Sequence, residues 1–354
     1  MGGVDRTETL QAAVAAARSN GTALQIVGAG TKGFLGRPPV GAPLSLMGHA
    51  GILSYEPTEL VITARSGTPL ADVEAALAKH GQMLTFEPPH FGPDATVGGC
   101  VASGLSGPRR PYGGAVRDHV LGVRLLNGRG EVLRFGGEVM KNVAGYDLSR
   151  LMVGAMGTLG VLLDVSIKVL PRPPVEVTLR QASTAARAIE AMNRWAARPL
   201  PLSAAAFDGE HLHVRLSGTD SGVRAARSAI GGEAVEDGEG FWQRLREHRH
   251  AFFESPLPLW RLSVPPATPP LELPGKALID WGGAQRWLLG ETPAGQIRAA
   301  AAGAGGHATL FRNGDRSGDA FHPLARPVAA LHRRLKAAFD PDGLFNRGRL
   351  YADL

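Results

Sequence analysis

At 354 residues, 44% of them hydrophobic and 20% charged, the chain is too long for one comfortable core and too apolar for disorder, which predicts two domains. Its single cysteine excludes a disulfide framework, a cysteine zinc site and a self-contained iron–sulfur cluster, which takes about four thiolates. The net charge of +6 comes from 32 Arg and 6 Lys dispersed along the chain, a composition bias and not the clustered stripe of a nucleic-acid binder.

Residues 7–20 (TETLQAAVAAARSN) predict a helix that starts on Thr7 and stops at Asn20-Gly21. LQIVGAG reads as a short strand entering a glycine turn, ELVITARSG as an alternating strand, and PLADVEAALAKHG as an amphipathic helix closed by Gly81. Between Gly92 and Gly160 the texture changes: 16 of 69 residues are Gly, and VLGVRLLN and EVLRFG meet at an Asn127-Gly128 hairpin turn. Glycine at that density marks backbone that turns sharply or comes close to a ligand. LGVLLDVSIKVLP is an apolar strand, and Pro171–Pro174 a linker.

Beyond the linker, VEVTLRQ, TAARAIEAMNRWAA, LSAAAFD, HLHVRLSG and SGVRAARSAI follow in β-α-β-β-α order, which is ferredoxin-like. GFWQRLREHRHAFF is a further helix; LWRLSVP, KALIDW, QRWLLG and HATLFR are strands, with the helix AGQIRAAAAG before the last of them. PLARPVAALHRRLKAAFD is a closing helix that leads into PDGLFNRGRLYADL. No run of about 18 apolar residues spans a membrane, and the opening MGGVDRTETL lacks a signal-peptide layout, so a cytoplasmic protein is expected.

Gly28-Ala-Gly30-Thr-Lys-Gly33 fits the G-x-G-x-x-G spacing of a dinucleotide fold. That motif needs its last glycine to open a helix, and FLGRPPVGAP follows instead. Two readings remain: a plain tight turn, or a nest of backbone N–H groups that holds phosphate without a helix.

The spacing of ATVGG, YGG, RDHVLG, NGRGE, KNVAGYDL and GTLGV resembles the FAD-binding domain of the vanillyl-alcohol oxidase / p-cresol methylhydroxylase flavoprotein superfamily. GLSGPRRPYGGAVRD, GGEVMKNVAGYDLSRLM, LWRLSVPP, DWGGAQRWL and GHATLFR are similar to the FAD-binding E subunits of bacterial glycolate oxidases. The resemblance implies an α+β fold: a PCMH-type FAD-binding domain of two subdomains over residues 1–172, a ferredoxin-like cap over 173–322, and a tail, 323–354, that returns to the first domain. It implies that the diphosphate of FAD lies against two glycine-bearing loops, Gly30-Thr31-Lys32-Gly33-Phe34 and Thr96-Val97-Gly98-Gly99. Ala102, Ser103 and Gly107 would pass beside the flavin, Asp118, His119 and Val120 near the adenine half, and Gly157, Gly160 and Val161 would close that side. Asn346 belongs to the returning tail, where the family commonly has proline next and this chain has Arg347. Residues 28–37 hold no histidine for covalent attachment, so FAD is expected to be noncovalent.

In the second half His307 and His322, fifteen residues apart, lack a metal-binding pattern, and His211 and His213 read as surface residues of one strand face; no metal site is expected. Arg261, Trp281 and Arg312 are candidates to line a pocket for a substrate carboxylate, or else structural residues. The expected activity is that of an FAD-dependent subunit of a multi-subunit oxidase or dehydrogenase converting glycolate, a small 2-hydroxy acid, to glyoxylate. A larger FAD subunit and an iron–sulfur subunit are its implied partners, and through them it would reach the inner face of the cell membrane. The alternatives are a stand-alone flavin dehydrogenase or oxidase of another hydroxy acid or alcohol, and a non-catalytic FAD-binding assembly subunit.

Overall fold

The computed structural model describes residues 3–137 and 147–354. The KNVAGY portion of the motifs above therefore lies outside the described residues. The chain forms two units: Met1–Leu105, Ala115–Pro171 and Arg316–Leu354 make the first, and Ser106–Gly114 with Arg172–Asp315 the second. Two segments differ from the sequence expectation. Residues 106–114 belong to the second unit, tied there by the Arg109–Glu176 ion pair at 2.7 Å. Residues 316–322 belong to the first, where the Tyr351 hydroxyl donates to the His322 carbonyl at 3.1 Å.

The first unit opens with helix α1 (Thr7–Asn20). The sequence places its cap on Thr7, but Asp5 does the capping: its Oδ1 accepts from the Thr7 amide and hydroxyl at 2.8 and 2.6 Å. Gly21 closes the helix in the left-handed region. Strands β1 (Leu24–Val27) and β2 (Ala42–Ser45) form a parallel pair. Five more strands make an antiparallel sheet: β3 (Ile52–Glu56), β4 (Val61–Arg65), β6 (Val120–Leu126), β7 (Val132–Gly136) and β8 (Val161–Lys168), in the order β3-β4-β8-β6-β7. The short β5 (Gln82–Met83) and β9 (Leu170–Pro171) pair separately.

Central β8 is buried along almost its whole length, as its apolar sequence demands. Leu162, Val165 and Ile167 enter the main core with Leu70, Val73 and Leu77 of helix α2 (Leu70–Ala78) and with Val97, Cys100 and Val101 of helix α3 (Val97–Ser103). Val161 and Leu163 enter a second cluster with Leu10, Val14, Leu24 and Phe345, which joins α1, β1 and the C-terminal tail.

The second unit is one eight-stranded sheet in the order β13-β10-β12-β11-β15-β16-β14-β17. Its first four strands, β10 (Val175–Ala182), β11 (Leu202–Phe207), β12 (His211–Gly218) and β13 (Glu233–Ala234), alternate with helices Ala185–Ala196 and Asp220–Ile230 in the ferredoxin-like arrangement. The other four, β14 (Leu259–Ser263), β15 (Lys276–Asp280), β16 (Gln285–Leu289) and β17 (His307–Arg312), repeat that order in mirror sequence about the β11–β15 seam. There the first crossover is the proline-rich loop 264–275 in place of a helix. His213 is buried and not at the surface: it donates from Nε2 to Asp208 at 2.8 Å and stacks on Phe241 at 4.0 Å.

Candidate functional site

The first unit holds a cleft of about 210 Å³, partly open to solvent, walled by residues 25–33, Pro38, Pro39, Thr96, Gly99, Ala102, Ser103, Met156, Arg316, Asn346 and Arg349. Its floor is the turn that follows β1. Gly28 is needed there because a Cβ would lie 2.5 Å from the Thr96 hydroxyl, so only glycine lets the strand end meet α3. Gly30 takes φ +70°, a left-handed conformation favouring glycine. The turn leaves the amides of Ala29, Gly30 and Thr31 without a hydrogen-bond acceptor among the described residues. Three backbone donors on the wall of a cleft fit an anion.

The second glycine segment behaves differently from the sequence expectation. It is not a loop but the start of α3, capped by Thr96, whose Oγ1 accepts from the Gly99 amide at 3.1 Å. The Val97 amide donates to the Thr68 carbonyl at 3.0 Å and the Gly98 amide to Ser66 at 2.7 Å. The amides of Val97, Gly98 and Gly99, three of the four in this segment, are thus engaged inside the protein. Gly98 is glycine because a Cβ would come within 2.6 Å of the Ser66 Cβ, and Val97 and Gly98 do not line the cleft. The small side chains of Ala102 and Ser103 do, with the Ser103 hydroxyl donating to the Cys100 carbonyl at 3.1 Å. Cys100 is buried beneath, and burial pushes its thiol up to about 12, which leaves it neutral and unreactive.

Lys32 lines the cleft as expected, yet its ammonium donates to Thr31 Oγ1 at 3.3 Å and to the His90 carbonyl at 3.1 Å. Phe34 turns away from the cleft to meet Phe91 edge-on at 5.3 Å. Asn346 reaches the cleft from the tail and works as a tie: Oδ1 accepts from the Ile26 amide at 2.8 Å and Nδ2 donates to the Met156 carbonyl at 2.6 Å. Gly157 faces that amide, where a Cβ would lie 2.6 Å from Asn346 Nδ2. Gly160 and Val161 pack at the start of β8, and none of these three neighbours lines the cleft.

The remaining expected contacts fall outside the cleft as well. The Asp118 carboxylate accepts from the Ala115 amide at 2.8 Å, His119 is buried against Phe86 with its Nδ1 3.2 Å from the Lys168 carbonyl, and Val120 begins β6. Gly107 is in the second unit, where its carbonyl accepts from the Trp281 indole at 3.0 Å.

Two arginines of the wall also hold the loop that follows β1. The Arg349 guanidinium donates to the Arg37 carbonyl at 3.0 Å and to that of Lys32 at 3.2 Å, and Arg316 donates to Gly33 at 2.9 Å and Gly36 at 3.1 Å. Arg349 lies in the returning tail, a signal the sequence offered; nothing distinguished Arg316 from the other 31 arginines.

In the second unit, Trp281 is buried under the Arg110 guanidinium at 4.3 Å. Arg261 projects from β14 on the face of its partner Trp287 and lies 5.6 Å from the Phe311 ring; it makes no ion pair or hydrogen bond among the described residues. Burial, then the charge of Arg110, pulls Arg261 down to about 10, and burial lowers Arg312 as well. His248, stacked on Phe253 at 3.9 Å, is held well below its ordinary value by burial and by Arg312 and Arg261, so it is neutral at pH 7. No group of three or more His, Cys, Asp or Glu among the described residues could hold a metal ion.

Residues 4–136 match the family described as FAD binding domain. The chain is 52% identical to glycolate oxidase subunit GlcE of Escherichia coli (strain K12), over 99% of both chains. It is 33% identical to glycolate oxidase subunit GlcD of Bacillus subtilis (strain 168) over 40% of this chain and 30% of that one. To a D-lactate dehydrogenase of Anaerostipes hadrus it is 34% identical, over 39% of this chain and 29% of the other. A solved alkyldihydroxyacetonephosphate synthase superposes with a TM-score of 0.67 at 16% identity, covering 96% of this chain and 75% of that one, a likeness of fold alone.

Proposed function

Since the chain belongs to the family of the glycolate oxidase subunit GlcE, we propose that it is the FAD-carrying subunit of a multi-subunit oxidase of glycolate or a related 2-hydroxy acid. The observation that carries this reading is the cleft after β1, where three unpaired amides stand beside the small Ala102 and Ser103 and a wall of arginine. Bound there, FAD supplies the two-electron acceptor for oxidation at the hydroxyl-bearing carbon. The protein's share is placement. Ala29, Gly30 and Thr31 offer donors to the diphosphate, Ala102 and Ser103 leave room for the flavin half, and Asn346 keeps β1 and Met156 in register around it. Residues 28–37 contain no histidine and the Cys100 thiol is sealed in the core, so attachment is noncovalent. The expected contacts that do not line the cleft, among them Gly98 and Gly157, shape its walls by close packing.

For the substrate, Arg261 and Arg312 are the cationic pair we assign to the carboxylate, with neutral His248 behind them and Trp281 holding the adjoining 106–114 segment in place. A half-buried guanidinium without a carboxylate partner, as at Arg261, is costly until an anion joins it. With one cysteine the chain has no iron–sulfur relay of its own, so electrons pass to partner subunits: a larger FAD subunit of the GlcD kind and an iron–sulfur subunit.

The purified chain is expected to be yellow and to release intact FAD on acid precipitation. A colourless chain after reconstitution with FAD refutes the reading. Anaerobic glycolate should bleach the flavin band in the assembled complex. Bleaching of the isolated chain by glycolate or D-lactate would instead establish a stand-alone dehydrogenase. In the complex, Arg261→Gln should raise the KM for glycolate by roughly 10–100-fold, the loss of one charge-assisted contact.

A further inference from the structure

Two guanidinium groups stand on the wall of the cleft with no carboxylate to balance them. Arg349 is 7% exposed, and neither it nor Arg316 makes an ion pair among the described residues. Every acceptor they have is a backbone carbonyl of the loop that follows β1: Lys32, Gly33 and Arg37 for Arg349, Gly33 and Gly36 for Arg316. Carbonyl dipoles satisfy hydrogen bonds but leave the charge uncancelled. Burial, then repulsion from Arg316, pulls Arg349 down to about 10, so the two like charges are held together at a cost.

If fastening the loop were their whole task, neutral side-chain amides would do it without repulsion. After that fastening, Nε and Nη2 of Arg316 and Nε of Arg349 have no acceptor among the described residues. They share the wall with the amides of Ala29, Gly30 and Thr31, so the surface offers donors and two positive charges. Lys32 adds a further ammonium to this wall, hydrogen-bonded to Thr31 and to the His90 carbonyl.

We propose that Arg316 and Arg349 are the residues that make this cleft select a diphosphate: the side chains that clamp loop 30–37 also supply the two charges that match a dianion. The inference rests on the FAD reading above and assigns within it the groups that distinguish a dinucleotide from an uncharged flavin. One mole of diphosphate, with about two negative charges, neutralises the pair.

The test is a titration of the flavin-stripped full-length chain with FAD, ADP and riboflavin, followed by flavin fluorescence and calorimetry. Arg316→Gln and Arg349→Gln retain a donor for the loop carbonyls and remove the charge. Each should weaken FAD and ADP by about tenfold or more while riboflavin is unchanged, and Arg349→Lys should recover most of the loss. If the Gln variants bind FAD and ADP as the wild type does, the arginines are loop fasteners only and the inference falls. Equal weakening of riboflavin and FAD also overturns it, since the loss is then one of shape. Wild-type protein gives an arm that needs no variant to fold: inorganic pyrophosphate should compete with ADP, and raised salt should weaken ADP and leave riboflavin alone. Failure of pyrophosphate to compete refutes the proposal. A wild-type chain that binds no FAD refutes the FAD reading itself, a separate result.

Discussion

Glycines that look alike in the sequence do different jobs in the structure. Gly30 needs its positive φ for the cleft, whereas Gly98 is needed because α3 rests on the backbone of Ser66. Gly98→Val is therefore expected to lower the unfolding free energy by about 1–3 kcal/mol through overpacking, with flavin content falling only in step with the folded fraction, as urea titration can check. Asp208 gives a pH signature. Burial pushes its carboxyl up, but the hydrogen bonds from His213 and from the amides of His211 and Glu210 outweigh this and hold it well below the usual range. A depressed acid stabilises the fold above its unfolded-state value of about 3.9, and that share is lost as pH falls through the folded value. Asp208→Asn should thus lower stability at pH 6 and converge on the wild type in strong acid; a deficit constant down to pH 2 would contradict this. The amino-acid order revealed the turn after β1 because glycines following an apolar strand leave few alternatives. Arg316 was illegible, since its meaning comes from chain that meets it some 280 residues away.

Elements were readable where apolar periodicity is strong. Helix Ala185–Ala196 with its Thr184 cap and the hairpin at Asn127 both follow from pattern and turn chemistry. Helix α3 was not, because VGGCVAS has poor helical propensity; Thr96 at one end and left-handed Gly104 at the other define it. The C-terminal helix, Arg326–Phe339, ends in a buried knot: Lys336 Nζ donates to Asp340 and to the carbonyls of Thr158 and Phe345, at 2.7, 2.7 and 2.8 Å. Asp340 in turn accepts from the Leu344 and Phe345 amides, and so launches the tail toward β1. Lys336→Met leaves that carboxylate buried without its cation and should cost about 3–5 kcal/mol in chemical denaturation. A change under 1 kcal/mol would mean the tail is held by apolar packing alone.

On the scale of the whole molecule, the second unit is inserted into the first, which returns at Arg316. The sequence expectation already returned a tail, 323–354, to a first domain of residues 1–172; in the structure that return begins at Arg316. The cleft is lined by Arg316, Asn346 and Arg349 of this returning segment. A fragment of residues 1–172 should bind FAD at least tenfold more weakly than the full chain, and a 316–354 peptide added in trans should restore part of the difference. Equal affinity of fragment and full chain would show that the tail is dispensable. FAD should also raise the melting temperature of the first unit, by mass action, more than that of the second.

The split origin of the cleft sets a clock on the ribosome. Synthesis runs N-terminal first, so the turn at residues 28–34 emerges 315 residues before Arg349 closes it, roughly 15–60 s at ordinary elongation rates. During that interval the nascent chain presents the amides of Ala29, Gly30 and Thr31 without the wall that completes their pocket. On the proposal that this cleft holds FAD, cofactor loading is expected to be a late event, and a chain broken off before residue 349 should hold its flavin more weakly. Retained colour becomes a certificate that translation reached the end of the pocket.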